Sequence, residues 1–579
     1  MFDLKETLNR IVAEALQQAS GCENPDANVI TAARPEFGDY QANGCMSLAK
    51  RIGKNPRELA QQVVEFLQGQ QHDLLDSLEV AGPGFINIRL ANSALLDEAN
   101  SALGKPEQLL NRVTAAQRIV VDYSSPNLAK EMHVGHLRGT IIGDALARVL
   151  ERLGHIIIRQ NHVGDWGTQF GMLITHMQDI SGGGAAEEAL SDLEIFYREA
   201  KLRFDNEPEF AERARLAVVK LQSGDPEHLK AWQYFIDESL SHCQAVYDKL
   251  GVGLSADDLK PESFYNEGLP GIVEALQDKG MLKVSDGARC VFLEEFVGKE
   301  GDPLPVIVQK SDGGFLYATT DLAAVQYRSA ELDVDRSLYV VDARQSLHFQ
   351  QVFAVARKAG LASEKISLEH VSYGTMMGED GKPFRTRSGD TIKLTDLLDE
   401  AVRRAFELVS EKSPQLDESE RAQIAERVGI SAVKYADLSK NRTSDYIFDW
   451  GTMLSFEGNT APYLLYAYAR IRSVLRKAGL AEETFTIGSV LEDQERGLLL
   501  RVCQFPEIVT GVGRDCYPNT LCAYLYELAG AFMRFYEACP ILKAGDKEIQ
   551  SSRLALAQLT SEVLREGLGL LGIQTLERM

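Results

Sequence analysis

The 579-residue sequence contains no apolar run of about eighteen residues, the length that a membrane-spanning helix needs. We therefore expect no membrane span. The N-terminus, MFDLKETLNRIVAEALQQA, has the pattern of an amphipathic helix and lacks the basic start and continuous apolar stretch of a secretory signal. Together these absences predict a cytoplasmic protein.

None of the eight cysteines belongs to a C-x-x-C pair. Structural zinc sites and disulfide-stapled domains both depend on closely spaced cysteines. The scattered positions indicate neither, and they favour reduced thiols in the cytoplasm.

Basic residues are outnumbered, because 61 Lys and Arg stand against 84 Asp and Glu, a formal net charge of −23. Affinity for phosphates comes mainly from Lys and Arg, so this balance argues against nonspecific nucleic-acid binding. It leaves room for a nucleic acid that docks on local basic patches.

The pattern of apolar residues divides the chain into regions. Residues 1–110 combine helical patterns with the strand motif GPGFINIRL (82–90), an α+β arrangement. RIVVDYS (118–124) predicts a buried strand, residues 137–154 have helical spacing that ends at Gly154, and residues 155–167 predict a second buried strand that runs into a glycine-rich loop. Strand, helix and strand at this spacing form a βαβ unit of a parallel sheet.

Later segments repeat and then abandon this α/β pattern. Residues 181–250 open with SGGG and continue as polar helices, which indicates an insertion. From about residue 290 the sequence predicts strands at VFL, LPVIVQK, FLYATT, SLYVV and HVSYG, and helices at DLAAVQYR and LHFQQVFAVARKAG. Past about residue 395 it predicts almost only long amphipathic helices.

The segment PNLAKEMHVGH (126–136) lies between the first strand of this unit and its crossover helix. Ligands of open parallel sheets bind at this edge, and helix N-termini favour anions. His133 and His136, three residues apart, share a face, Gly135 leaves room for a ring, and Lys130 adds positive charge. The set suits a triphosphate, although H-x-G-H alone also fits a metal pair or surface residues. No third metal ligand is evident nearby.

HVGH resembles the HIGH element of class I aminoacyl-tRNA synthetases. The longer runs VVDYSSPNLAKEMHVGHLRGTIIGDAL and NHVGDWGTQFG resemble the arginyl-tRNA synthetases in particular. So do GPGFINI, LYATTDLAA, DARQSLHFQQ and GNTAPYLLYAYARIRS, and the resemblance covers nearly the whole chain.

The resemblance implies an α/β fold of three domains. A Rossmann-like, doubly wound parallel-sheet catalytic domain (111–395, helical insertion at about 181–260) would follow an N-terminal α+β domain that binds the tRNA elbow (1–110). A C-terminal all-α domain that binds the anticodon (396–579) would come last. The implied reaction joins L-arginine to tRNA through an arginyl-adenylate, with Mg²⁺–ATP and with tRNA needed for activation. We expect a monomer, without structural zinc.

The resemblance also assigns an arginine pocket. A guanidinium is planar with five donors, so paired carboxylates hold it best. Taken singly, each acid also fits an exposed position or a helix cap. The implied residues are Ser125, Asn127, Glu262, Tyr317, Asp321 and Gln345.

On the ATP side, the chain departs from the family pattern. The usual KMSKS element is replaced by FRTRS, so that Arg385 and Arg387 stand for its lysines. We expect Lys130 to compensate as a triphosphate contact, with a solvated lysine as the alternative. Implied catalytic residues are Lys130, His133 and His136, and Pro126, Gly135 and the two arginines also contact ATP. Asp342 is a further candidate for the ribose or the substrate amine. His348 and His370 are candidate neighbours of adenosine, with core or surface roles as the alternative.

For tRNA, the resemblance assigns Phe85 and Asn87 to an unstacked elbow base, and Tyr463 and Arg470 to the anticodon side. A core strand and an ordinary amphipathic helix are the alternatives. Two other functions remain open: a tRNA-independent adenylyl ligase or nucleotidyltransferase, and a non-catalytic RNA-binding relative.

Overall fold

A computed structural model describes residues 1–70, 72–180, 193–298, 301–384, 392–479, 486–488, 490 and 492–579. The chain divides into two compact units. One unit consists of Met1–Val113 together with Ser455–Met579, and the other is Thr114–Leu454. The glycine-rich opening of the predicted insertion, residues 181–184, lies outside the described residues. No helix in the described part of the chain has both the length and the apolar content to cross a membrane.

Residues 1–113 combine an antiparallel sheet with helices. Asp3 caps the N-terminus of helix α1, because its side chain accepts from the Glu6 N–H at 2.8 Å. Gly21, in the left-handed conformation, caps the C-terminus. The strands pair in the order β1-β2-β4-β3. The elements are α1 Leu4–Ser20, β1 Val29–Thr31, β2 Tyr40–Ala42, α2 Gly44–Ile52, α3 Pro56–Gln70, β3 Leu75–Ala81, β4 Phe85–Leu90 and α4 Asn92–Ala102.

The unit Thr114–Leu454 is built on the predicted βαβ motif. Strand β5 (Arg118–Asp122) runs parallel to β6 (Ile156–Gln160), and the crossover helix α5 (Leu137–Leu153) ends at Gly154 in the left-handed conformation. Strands β10 (Arg336–Tyr339) and β11 (Ser367–His370) extend the sheet in the order β11-β10-β5-β6, all parallel. The predicted α/β class is confirmed.

The rest of this unit is mainly helical. A three-stranded antiparallel sheet, β7-β8-β9, and a short parallel pair, β12-β13, complete it. The remaining elements are α6 Thr168–Ile180, α7 Leu193–Asn206, α8 Pro208–Gln222, α9 Pro226–Leu250, α10 Leu269–Asp278, β7 Leu282–Ser285, β8 Ala288–Val297, β9 Pro303–Gln309, α11 Tyr317–Ala330, α12 Ser346–Ala359, β12 Met376–Met377, α13 Leu394–Lys412, α14 Glu418–Leu438, β13 Tyr446–Ile447 and α15 Trp450–Met453.

Two predicted strands of this region are wrong. FLYATT (315–320) contributes only an isolated bridge at Phe315, and the helix α11 begins at Tyr317. Its β-branched Thr319 is buried and bonds through its hydroxyl to the Val308 carbonyl, so tertiary contact overrides strand preference. HVSYG (370–374) leaves the sheet after its first residue, because strand β11 ends at His370.

The last 125 residues of the chain, Ser455–Met579, are helical in their described part and pack with residues 1–113. Arg496 holds the Asp39 carboxylate through two bonds of 2.8 Å, and Tyr40 donates to the buried Glu507 at 2.6 Å. The helices are α16 Ala461–Lys477, α17 Asp493–Cys503, α18 Phe505–Asp515, α19 Pro518–Ala538 and α20 Lys547–Leu570. Helix α13, which begins near the predicted boundary at residue 395, and helix α14, which begins at Glu418, belong to the other unit.

Candidate active site

A cleft of about 780 Å³ opens at the carboxyl ends of the parallel strands in the unit Thr114–Leu454. This is the edge at which open parallel sheets bind ligands. All six residues predicted for arginine line this one cleft, and they come from four separate segments of the chain. They are Ser125, Asn127, Glu262, Tyr317, Asp321 and Gln345.

The turn after β5 has a strained backbone. Ser124 and Ser125 have φ values of +73° and +47°, which side-chain-bearing residues adopt at a cost of about 1–3 kcal/mol each. The Ser125 N–H donates to Asn161 Oδ1 at 2.9 Å, and its hydroxyl donates to Asp122 Oδ1 at 3.2 Å. This turn directs the chain from the end of β5 along the edge of the sheet, so that Ser125 and Asn127 line the cleft.

Asn127 lies against a glycine of the neighbouring loop. Leu128 N–H donates to the Gly164 carbonyl at 2.9 Å, and Gly164 N–H donates to the Pro126 carbonyl at 3.0 Å. A Cβ at Gly164 would overlap the Asn127 Oδ1 atom, so glycine is required for this side-chain position.

Carboxylates converge in the cleft. Burial, followed by the charges of Asp165 and Asp321, raises the pKa of Glu262 to about 7. Asp165 is buried, and its Oδ1 accepts from the Ser263 N–H at 2.9 Å. Asp321 Oδ2 lies 2.5 Å from His348 Nε2. Glu262 and Asp321 line the cleft, and the charge of Asp165 reaches Glu262, so this part of the cleft favours a cationic ligand.

Two other residues predicted to bind arginine, Tyr317 and Gln345, border the cleft as exposed side chains. Tyr317, at the start of α11, is 74% exposed, and Gln345 ends the short helical turn Ala343–Gln345. Both can therefore rearrange around a ligand without disturbing the core.

The two histidines of HVGH form one turn, and they do not belong to the lining of this cleft. His133 Nδ1 accepts from the Gly135 N–H at 3.0 Å, and His136 Nδ1 accepts from the His133 N–H at 3.1 Å. Both rings therefore carry their proton on Nε2. Burial lowers the pKa of His133 and lowers that of His136 to about 3, so both are neutral donors. Gly135 leaves room for the His133 ring itself.

Lys130 is half-buried, with its Nζ 4.3 Å from the centroid of the Tyr197 ring on α7. After burial, its charge is a further cause of the lowered pKa of both His133 and His136. The Lys130 ammonium group is therefore close enough to both imidazoles for its charge to influence their protonation.

Other candidates have different surroundings. Asp342 forms an ion pair of 2.7 Å with Arg344. Burial raises the pKa of Asp342, but the hydrogen bonds from Arg344 lower it by more, so the pKa lies below its usual value. His348 faces Asp321 in the cleft, and His370 Nε2 lies 3.0 Å from the Val341 carbonyl oxygen. Arg385 and Arg387 lie outside the described residues.

The tRNA candidates lie in the unit formed by the two ends of the chain. Phe85 is half-buried beside Gly82, whereas Asn87 is buried and accepts from Gln41 at 2.8 Å. Tyr463 packs on the Tyr526 ring, and the Arg470 guanidinium lies 4.9 Å from the centre of the Tyr536 ring.

Sequence reasoning missed several side chains of the site. His162, Trp166 and Phe315 line the cleft, and Asp165 and Asn161 support it. Most of them stand in NHVGDWGTQFG, which resembled the family without suggesting individual roles. No group of three or more His, Cys, Asp or Glu side chains within the described ranges could hold a metal ion.

The parallel sheet and the histidine turn are those of a class I aminoacyl-tRNA synthetase, and the model "tRNA synthetases class I (R), catalytic domain" matches residues 98–450. "Arginyl tRNA synthetase N terminal domain" matches residues 6–90, and "DALR anticodon binding domain" matches residues 464–579. The chain belongs to the arginyl-tRNA synthetase family, as its resemblance to that family implied.

Similar proteins span the full length of the chain. The arginine–tRNA ligase of Laribacter hongkongensis is 57% identical over 96% of each chain, and that of Chromobacterium violaceum is 55% identical over 99% of this chain and all of that one. Arginyl-tRNA synthetase structures from Plasmodium falciparum (29% identity, TM-score 0.84) and Thermus thermophilus (25%, 0.82) each cover 100% of both chains.

Proposed function

We propose that this protein is an arginine–tRNA ligase whose cleft binds L-arginine beside a site for Mg²⁺–ATP. In the first step, an oxygen of the arginine carboxylate bonds to the α-phosphorus of ATP as the bond to the β-phosphate breaks, giving arginyl-adenylate and pyrophosphate. In the second, a terminal ribose hydroxyl of tRNA attacks the arginyl carbonyl carbon, and AMP leaves. The observation that carries the proposal is that Glu262 and Asp321 line one cleft, with Asp165 near enough for its charge to raise the pKa of Glu262.

The guanidinium of arginine would lie between Glu262 and Asp321. Its five donors match two carboxylates in fork geometry, whereas a lysine ammonium leaves acceptors unpaired. Asp321 would exchange its contact with His348 for the ligand. Ser125, Asn127 and Gln345 are suited to the α-amino and carboxylate groups, and the exposed Tyr317 can close over the side chain.

The triphosphate would meet the Nε2–H donors of His133 and His136, with Lys130 beside them. Neutral imidazoles can donate without adding charge, while Lys130 supplies the positive charge that offsets the charge developing on the leaving pyrophosphate. Pro126 and Gly135 would shape the approach of ATP. We assign Arg385 and Arg387 to the same triphosphate from the sequence alone.

For tRNA we propose Phe85 and Asn87 at the elbow, and Tyr463 and Arg470 on the anticodon side. Phe85 and Tyr463 are half-buried and can offer ring faces for stacking, and Arg470 can add a phosphate contact. Asn87 would have to leave Gln41 to read a base. We further propose that bound tRNA is needed for activation, and that the protein is a cytoplasmic monomer.

Exchange of pyrophosphate into ATP tests the activity. We expect exchange with arginine and tRNA together, and none with lysine. Exchange without tRNA would contradict the tRNA requirement and favour a tRNA-independent ligase. Absence of exchange and of arginyl-tRNA formation under every condition would favour a non-catalytic RNA-binding relative.

Arginine affinity is expected to depend on pH through Glu262. Because the pKa of this carboxyl is about 7 without ligand, it is largely protonated below that pH, and a guanidinium prefers the ionised form. Affinity should therefore be about tenfold weaker at pH 6 than at pH 8, with protons released on binding. Titration calorimetry in two buffers of different ionisation enthalpy measures both effects. A flat affinity profile without proton release would contradict the assignment.

A further inference from the structure

One face of the long insertion helix α9 holds the two loops that form the cleft edge. Trp232 Nε1 donates to the Asp165 backbone carbonyl at 2.7 Å, and the Ser239 hydroxyl lies within hydrogen-bond distance of the Leu128 carbonyl and of the Phe235 carbonyl in its own helix. Tyr247 follows eight residues after Ser239. Spacings of seven and eight residues are two helical turns, so the three side chains share a face.

Tyr247 is the end of this face nearest the strained turn. Its hydroxyl lies 2.8 Å from Ser124 Oγ and accepts from Asn161 Nδ2 at 3.0 Å. All three side chains are buried, with Tyr247 at 3% exposure and Asn161 at 1%. Water is therefore a poor substitute for any of these bonds.

The network continues from Ser124 to the crossover helix α5 through Thr140. Thr140 Oγ1 lies 2.8 Å from the His136 carbonyl and 2.9 Å from Ser124 Oγ. Thr140 has a single hydroxyl proton to share between these two oxygens. Ser124 Oγ therefore lies between the hydroxyls of Thr140 and Tyr247, within hydrogen-bond distance of both.

The network acts on the arginine side of the site through two atoms. It holds Ser124 at φ +73°, and it orients the Asn161 amide whose Oδ1 accepts from the Ser125 N–H at 2.9 Å. A phenylalanine at 247 would leave Asn161 Nδ2 and Ser124 Oγ without that hydroxyl. The Thr140 bond to His136 lies within one helical turn and needs no partner on α9.

We propose that Tyr247 is a positioning residue for arginine activation, because its hydroxyl fixes the left-handed turn Ser124–Ser125 from which the arginine pocket extends. The inference rests on the proposed function. It assigns to the helical insertion a role in arginine affinity that a peripheral domain would not have.

The test compares Tyr247→Phe with Tyr524→Phe. Tyr524 is also buried and donates to one acceptor, the Arg501 carbonyl, at 2.8 Å, but it lies in the other compact unit. We expect Tyr247→Phe to lower kcat/KM for arginine about tenfold through KM, and to change the KM for ATP less than twofold. Tyr524→Phe should leave both unchanged at a similar loss of melting temperature.

A double variant checks that the hydroxyls act together. The double variant Tyr247→Phe/Ser124→Ala should bind arginine at most about twofold more weakly than the single variant with the larger effect. Additive losses, or equal arginine KM values for Tyr247→Phe and Tyr524→Phe, would overturn the proposal. If Tyr247→Phe does not fold, Ser124→Ala removes the same bond from its other end. An inactive wild-type protein would instead refute the proposed function.

Discussion

Glu262→Gln is expected to raise the KM for arginine about 100-fold, with a change of less than twofold in the KM for ATP. The amide keeps the shape of the carboxylate, but it removes the charge and places donors against the donors of a guanidinium. Losing one partner of a buried, hydrogen-bonded charge pair costs about 2–5 kcal/mol, and 1.4 kcal/mol is about tenfold in affinity. Steady-state pyrophosphate exchange at varied arginine measures the change.

The matched control is Glu295→Gln. Glu295 is a carboxylate of the same compact unit, but it is exposed and bonded to Lys358 at 2.7 Å. Its replacement should leave both KM values unchanged. The Glu262 variant should also lose the dependence of arginine affinity on pH between 6 and 8. A KM for arginine within threefold of the wild-type value would remove Glu262 from the pocket.

Lys130→Ala is expected to slow pyrophosphate exchange about 100-fold at saturating arginine. Removing one preorganised group that stabilises developing charge costs about 10²–10³ in rate in other enzymes, and Lys130 is the lysine next to the histidine turn. The KM for arginine should be unchanged, since Lys130 does not belong to the cleft lining.

Lys283→Ala is the control for Lys130. Lys283 also lies over an aromatic ring, with its Nζ 6.0 Å from the Phe292 centroid, but it belongs to the antiparallel sheet. Its loss should not affect exchange. Undiminished exchange by the Lys130 variant would show that the triphosphate is held by other groups.

The βαβ unit could be predicted because its signals are local. Strands β5 and β6 are rich in β-branched residues, and α5 repeats apolar residues at helical spacing before Gly154. The burial predicted for both strands is right for β5 but wrong for β6, which lies at the edge of the sheet and leaves Ile156 51% exposed. FLYATT gave a strand signal as strong as theirs, yet a bond from Thr319 to Val308 and the burial of Leu322 favour a helix. A pattern of residues that are adjacent in sequence does not reveal such contacts between distant segments.

The candidate site divides in the same way. The six residues of the predicted arginine pocket are implied by likeness to a family. Nothing in their spacing along the sequence shows that the segments near residues 125, 262, 321 and 345 meet in the fold. The support from α9 was missed, because Tyr247 is 123 positions from Ser124 and has the helical spacing of an ordinary core residue. The raised pKa of Glu262 likewise depends on Asp165 and Asp321, which only the fold brings near.

The bonds from Arg496 and Glu507 to Asp39 and Tyr40 bear on the order in which the chain can fold during synthesis. Residues 1–113 leave the ribosome before residues 114–454, but the helices that they pack against are made after residues 114–454. Between these events the ribosome translates residues 114–454, which takes on the order of tens of seconds at the usual bacterial rate. During that interval the Asp39 carboxylate and the Tyr40 ring face solvent or a chaperone. Residues 1–113 therefore reach their final packing only after residues 455–579 have been made.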